Sequence, residues 1–188
     1  TIWKGTAAMI KNSSEKSNEA VFWAAAISVY GNKILEHKKY FDEFYQTKFD
    51  SVKDVVVKDE PLSREVIDYV KNKGLRTALA TNPLFPSIAT EKRIAWAGLS
   101  VDDFEFFTTY ENSSYSKPNL DYYRWVVSKM GLSFEECLMV GNDVSDDMVA
   151  ESLGMKVFLL TDNLINKEDA DISIYPNGSF KDLIEYID

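Results

Sequence analysis

Three aspartates crowd one short stretch, "CLMVGNDVSDDMVAESLGM" at residues 137–155: Asp143, Asp146 and Asp147. Carboxylates this close repel one another, so the spacing has two readings. Either they serve a hard cation such as Mg2+, which prefers oxygen ligands, or they are first-turn acids, each favoured by the helix dipole by about 0.3–1 kcal/mol. Asp143 stands on the loop before the helical pattern, where the second reading explains it least. Two other positions carry complementary chemistry. Thr81 and Asn82 end the run "ALATN", and Lys117 precedes Pro118 at the start of a helical pattern. A hydroxyl with neighbouring backbone N–H groups can donate to phosphoryl oxygens, and an ammonium supplies positive charge.

The surrounding elements decide whether these residues share a rim. From residue 59 onward, helix and strand signals alternate. "SREVIDYVKNKG" is an amphipathic helix closed by Gly74, "LRTALATN" a strand, "PSIATEKRIAWAG" a helix ending at Gly98, and "DFEFFTTY" a short strand. "KPNLDYYRWVVSKMG" follows as a helix with Pro118 in its first turn, where a missing N–H costs nothing. Then come the strand "ECLMVG", the helix "SDDMVAESLG", the strand "MKVFLLT" and the helix "GSFKDLIEYI", with "DISIY" as an edge strand. Such alternation predicts an α/β fold, a doubly wound parallel sheet of βαβ units. In open sheets of this kind ligands sit at the carboxyl ends of the strands, which is where Thr81, Asn142, Asp143 and the loop to Lys117 are delivered.

Residues 1–58 read as helical throughout. "NEAVFWAAAISVYG" has Asn18 as its N-cap and Gly31 as its stop, and "KILEHKKYFDEFYQTKF" continues on helical spacing. Pro61 marks the expected boundary between a helical lobe, 1–58, and an α/β core, 59–188. A net charge of −9 over 188 residues argues against nucleic acid or an anionic membrane as partner. The longest apolar run, "AVFWAAAISVY", falls short of the roughly 20 residues a membrane helix needs. A single cysteine, Cys137, forms no internal disulfide, which suits a reducing cytoplasm.

The order of these motifs resembles the haloacid dehalogenase superfamily, whose members are mostly Mg2+-dependent phosphohydrolases. "ALATN" looks like its second motif, "SKP" like its third and "VGNDVSDDMVAESLGM" like its fourth, while residues 1–58 are similar to its α-helical cap. The resemblance implies that Thr81, Asn82 and Lys117 bind phosphate, with Thr81 and Lys117 assisting catalysis. It implies Mg2+ on Asp143, Asn142 and Asp147, with Asp146 ranked behind them. The substrate class is then a small phosphorylated metabolite, hydrolysed through an aspartyl-phosphate.

Two departures stand out. The fourth motif usually carries Asp directly after its glycine, where this chain has Asn142. The first motif, an apolar strand ending in DxD, is absent. "WKGT" has Lys4 in place of an acid, and Asp169 and Asp171 of "EDADIS" precede an apolar segment instead of following one. A segment before Thr1 is therefore expected to supply a central strand and the nucleophilic aspartate. The alternatives are a phosphomutase, which would use the same residues, and a catalytically inactive phosphate-binding or regulatory module of the same fold. Of the remaining candidates, His37 reads as a surface residue and Cys137 as core filling. Tyr122, Tyr123 and Trp125 read as packing, and Glu111, Asn112 and Tyr115 as a solvated loop.

Overall fold

A computed structural model describes residues 2–57 and 62–188. Pro61, the expected lobe boundary, lies outside the described residues. Packing groups the chain into two units, Thr1–Ser116 and Lys117–Asp188.

The first unit begins with α1 (Ile2–Ile10) and α2 (Asn18–Tyr30). A Cβ on Gly5 would lie 2.3 Å from the Phe22 ring, so the glycine lets that ring approach the α1 backbone closely. Met9, Phe22, Trp23, Ala26 and Tyr110 form one core, with Ile34, Phe41 and Leu84 packed against it. The expected cap shifts by one residue. Ser17 accepts from Ala20 N, while Asn18 is 0% exposed and serves as a buried connector. Its Oδ1 accepts from Asn12 Nδ2 at 2.9 Å, and its Nδ2 donates to Pro83 O and Ser116 Oγ, each at 3.1 Å. Burial decided this, because an amide wholly out of water must satisfy every donor and acceptor within the protein.

The segment expected as one helix from residue 33 is instead a series of short windings. A 3-10 stretch Asn32–His37 leads into α3 (Lys38–Glu43), a π-turn Phe44–Lys48, a 3-10 turn Phe49–Val52 and α4 (Lys53–Val56). Phe49, buried here, stacks on Trp96 with ring centroids 5.1 Å apart. Helices α5 (Ser63–Asn72) and α6 (Ser87–Trp96) appear where the apolar spacing places them. The strand expected at 75–82 reduces to a parallel bridge between Leu79 and Phe107. It is held by Glu105 N→Thr77 O, Leu79 N→Phe106 O and Thr108 N→Leu79 O bonds of 2.9–3.1 Å.

Asp103, 7% exposed, ties α5 to the turn that follows α6. It accepts from Arg64 Nη1 at 2.6 Å, Lys71 Nζ at 2.9 Å and Ser100 N at 2.8 Å. These donors, Arg64 foremost, hold its carboxyl well below the usual carboxylate range. A carboxylate with a depressed folded-state pKa stabilises fully above its unfolded value of about 3.9 and loses that contribution as pH falls toward the folded value. Wild-type Tm should therefore drop below about pH 4. Asp103→Asn should start lower at pH 6 and lose less between pH 6 and pH 2; parallel Tm-versus-pH curves for the two proteins would contradict this.

The second unit opens with the turn Lys117–Pro118, whose peptide is cis. Asn119 caps α7 (Leu120–Met130) by accepting from Asp121 N, so Pro118 lies before the helix, not in its first turn as expected. One face of α7 buries Tyr122, Tyr123, Val126, Val127 and Met130. Strands β1 (Leu138–Gly141), β2 (Lys156–Leu160) and β3 (Asn177–Gly178) form a parallel sheet in that order. Leu138 pairs with Lys156 and Gly141 with Leu159. Between β1 and β2, α8 (Val144–Asp147) tightens into a 3-10 stretch, Met148–Leu153. The expected edge strand at 171–175 is a 3-10 turn, because Asp171 accepts from Ser173 N and winds the segment. Cys137 is only partly buried, not a core filler. A final helix, α9 (Phe180–Ile187), starts from a Ser179–Asp182 capping box. Parallel strands joined through helices make the chain α/β, as its alternation implied. Among the described residues, no helix is long and apolar enough to cross a membrane.

Candidate functional site

The site is clearest in the second unit, at the carboxyl end of β1. Gly141 ends the strand, Asn142 and Asp143 form the loop, and Asp147 closes the first turn of α8. Asp143, the acid that a helix-start role was expected to explain least, is the N-cap of α8. Its Oδ1 accepts from Ser145 N at 3.0 Å and Asp146 N at 2.9 Å, and neither of those bonds uses Oδ2. Asp147 faces inward. Its Oδ1 lies 2.6 Å from Lys117 Nζ, with both side chains 7% exposed, and its Oδ2 accepts from Asp143 N at 3.0 Å. The ammonium that ends the Ser116–Lys117–Pro118 turn thus meets the acid loop directly, 30 residues away in sequence.

The loop is gripped from the far side as well. Asn142 Nδ2 donates to Asn163 O at 2.5 Å. Ile165 N donates to Asn142 O at 2.8 Å, and Val144 N donates to Ile165 O at 3.0 Å, making a parallel bridge between Asp143 and Ile165. From below, the Tyr123 hydroxyl donates to Asp146 O. Burial, reinforced by the nearby Asp147 carboxylate, pushes the Tyr123 phenol far above its ordinary value, so it remains a donor at physiological pH. Neither Tyr123, which reads as packing, nor Asn163 and Ile165 stood out in the sequence. Nothing in "TDNLIN" separates that segment from an ordinary loop.

Thr81 and Asn82 belong to the first unit. The Thr81 hydroxyl lies 3.5 Å from Thr108 O and from Thr108 Oγ1, while Thr108 Oγ1 donates to Thr81 O at 2.8 Å. A fully buried threonine therefore backs this loop. Of the loop residues that read as solvated, Glu111 caps α6 by accepting from Ser87 N at 2.9 and 3.0 Å. Asn112 closes its own turn by accepting from Thr109 N and donating to Phe107 O. His37 is exposed.

Whether this donor set suits Mg2+ follows from its chemistry. Among the described residues, no group of three His, Cys, Asp or Glu side chains converges as a closed metal cage. Mg2+ does not need one, since it keeps several waters and takes one or two carboxylates from the protein. Asp143 offers an oxygen outside its capping bonds, and Asn142, held by its amide nitrogen, can offer its amide oxygen. The residues present fit the ion as an open, water-rich site.

A family model for haloacid dehalogenase-like hydrolases matches residues 11–154. A glyceraldehyde 3-phosphate phosphatase from Methanocaldococcus jannaschii is 26% identical over 178 residues, covering 83% of this chain and 77% of its own length. Among solved structures, a predicted phosphoglycolate phosphatase from Haemophilus somnus superposes with a TM-score of 0.62 at 19% identity, covering 100% of this chain and 82% of that one. A magnesium-bound HAD-type hydrolase from Bacillus subtilis gives 0.56 at 18%, covering 68% of this chain and 55% of that one.

Proposed function

Because the chain belongs to the haloacid dehalogenase-like hydrolases, we propose that it serves a Mg2+-dependent phosphatase acting on a small phosphate monoester. The observation that carries this reading is the buried Lys117–Asp147 pair set beside Asp143 at the end of a parallel strand. A lysine held at a strand end next to an open carboxylate is suited to an anion accompanied by a hard cation. The phosphatase relative and the magnesium-bound neighbour support the same class.

In this reading Lys117 neutralises charge on the transferring phosphoryl group, and Thr81 and Asn82 are offered as donors to its oxygens. Asp143, with the Asn142 amide oxygen, would hold Mg2+. The ion, when bound, offsets repulsion between a nucleophilic carboxylate and the phosphate. In the family this carboxylate is the aspartate of the first motif. It would attack phosphorus as the P–O bond to the alcohol breaks, the alcohol taking a proton from a second acid; water then hydrolyses the acyl phosphate. Residues 1–58 are read as the cap that selects the substrate, in a cytoplasmic enzyme.

The test is hydrolysis of p-nitrophenyl phosphate by the full-length protein. Chelation with EDTA should stop turnover and added Mg2+ should restore it. Equal rates in EDTA and in Mg2+ would remove the metal from the reading, and no hydrolysis in Mg2+ would favour a phosphate-binding module.

A further inference from the structure

We propose that Asp147 is a positioning residue that fixes the Lys117 ammonium, and that it is not a ligand of the metal. This rests on the phosphatase reading above and divides its acid cluster into two roles. Both Asp147 oxygens are engaged within the second unit: Oδ1 with Lys117 Nζ at 2.6 Å, Oδ2 with Asp143 N at 3.0 Å. A dication placed on the same carboxylate would sit against the ammonium it already holds. The pair is buried, and an ammonium taken out of water without a counter-charge is strongly disfavoured. Asp147 is therefore the counter-charge that holds the Lys117 ammonium where it stands.

The local geometry was shaped around this pair. A Cβ on Gly141 would lie 2.1 Å from Asp147 Oδ2, so the strand end is left bare where the carboxylate tucks in. The ammonium also lies 5.8 Å from the centre of the Tyr122 ring, which limits its movement on a second side. Asp143 has the opposite character, with its Oδ2 outside the capping bonds. The charges split accordingly: Asp143 faces the cation, and Asp147 faces the lysine.

Asp147→Asn in the full-length enzyme separates the alternatives through two readouts. The first is Tm in EDTA, with no metal present. Loss of the counter-charge to a buried lysine should lower Tm by about 5 °C or more. Removal of a metal ligand from a repelling acid cluster should leave Tm unchanged or raise it. The second is p-nitrophenyl phosphate kinetics. A displaced lysine should cut kcat by about tenfold or more, with the half-saturating Mg2+ concentration unchanged, whereas loss of a ligand should raise that concentration by about tenfold or more. A rise in Mg2+ requirement with unchanged Tm overturns the proposal. So does a fall in Tm with kcat and KM intact, which would leave the pair structural only. A wild-type enzyme that hydrolyses nothing strikes the phosphatase reading and the positioning role with it, whereas an active wild type with an unimpaired variant strikes this inference alone.

Discussion

Asp143→Ala in the full-length protein should lower Mg2+-dependent hydrolysis of p-nitrophenyl phosphate by about 100-fold or more, the largest functional effect expected of any single change. Two losses coincide at this residue. The variant lacks the carboxylate oxygen left outside the capping bonds, and it lacks the Oδ1 acceptor for Ser145 N and Asp146 N. An N-cap truncation alone costs about 1 kcal/mol, a modest Tm effect that does not account for lost turnover. Asp143→Asn separates the two, since its amide oxygen can still cap the helix while its charge is gone. Asn should therefore keep most of the wild-type Tm and share the catalytic defect of Ala. Near wild-type turnover in Asp143→Ala at saturating Mg2+ would refute the metal assignment.

The largest effect on stability is expected at Asn18. Asn18→Ala removes three buried hydrogen bonds at once, to the Pro83 carbonyl, the Ser116 hydroxyl and the Asn12 amide, although Ser116 Oγ still donates to Met9 O and Asn12 Nδ2 to Lys16 O. At about 1 kcal/mol for each lost bond, with further cost for groups left unsatisfied, the total is about 3 kcal/mol or more. For a chain of this size that corresponds to a Tm lower by about 6–12 °C. Asn18→Asp is as informative, because it keeps an acceptor for Asn12 but loses the two donors and turns a carboxylate toward the Pro83 carbonyl. Thermal unfolding by circular dichroism reads both variants. A shift under about 2 °C for either would mean that water replaces the partners and the connector is dispensable.

These two residues show what the sequence could and could not disclose. Asp143 was legible because its information is local: an apolar strand, a glycine, then acids opening a helix. Ser63–Asn72, Ser87–Trp96 and Leu120–Met130 were legible for the same reason, their apolar spacing fixing both type and place. Asn18 reads as an ordinary cap. Only contacts with residues as distant as Ser116 turn it into a buried connector and pass the capping role to Ser17. "DISIY" has the composition of a strand, and one Asp171 side-chain bond overrode that preference. Lys117 and Asp147 were both singled out from the sequence, yet the bond between them spans 30 residues and could not be read. The grip of Asn163 and Ile165 on the acid loop left no mark in composition at all.

Gly141 has a consequence of another kind. The tightest tolerance in the acid loop belongs to a position that donates no proton, binds no ion and carries no charge. Replacing it with alanine would press one methyl group into the place the Asp147 carboxylate occupies and push that carboxylate off the lysine. Such a variant would look in an assay like the loss of a reactive group, although every reactive group would still be present. Near this strand end, the absence of a side chain is as specific a requirement as the identity of any acid.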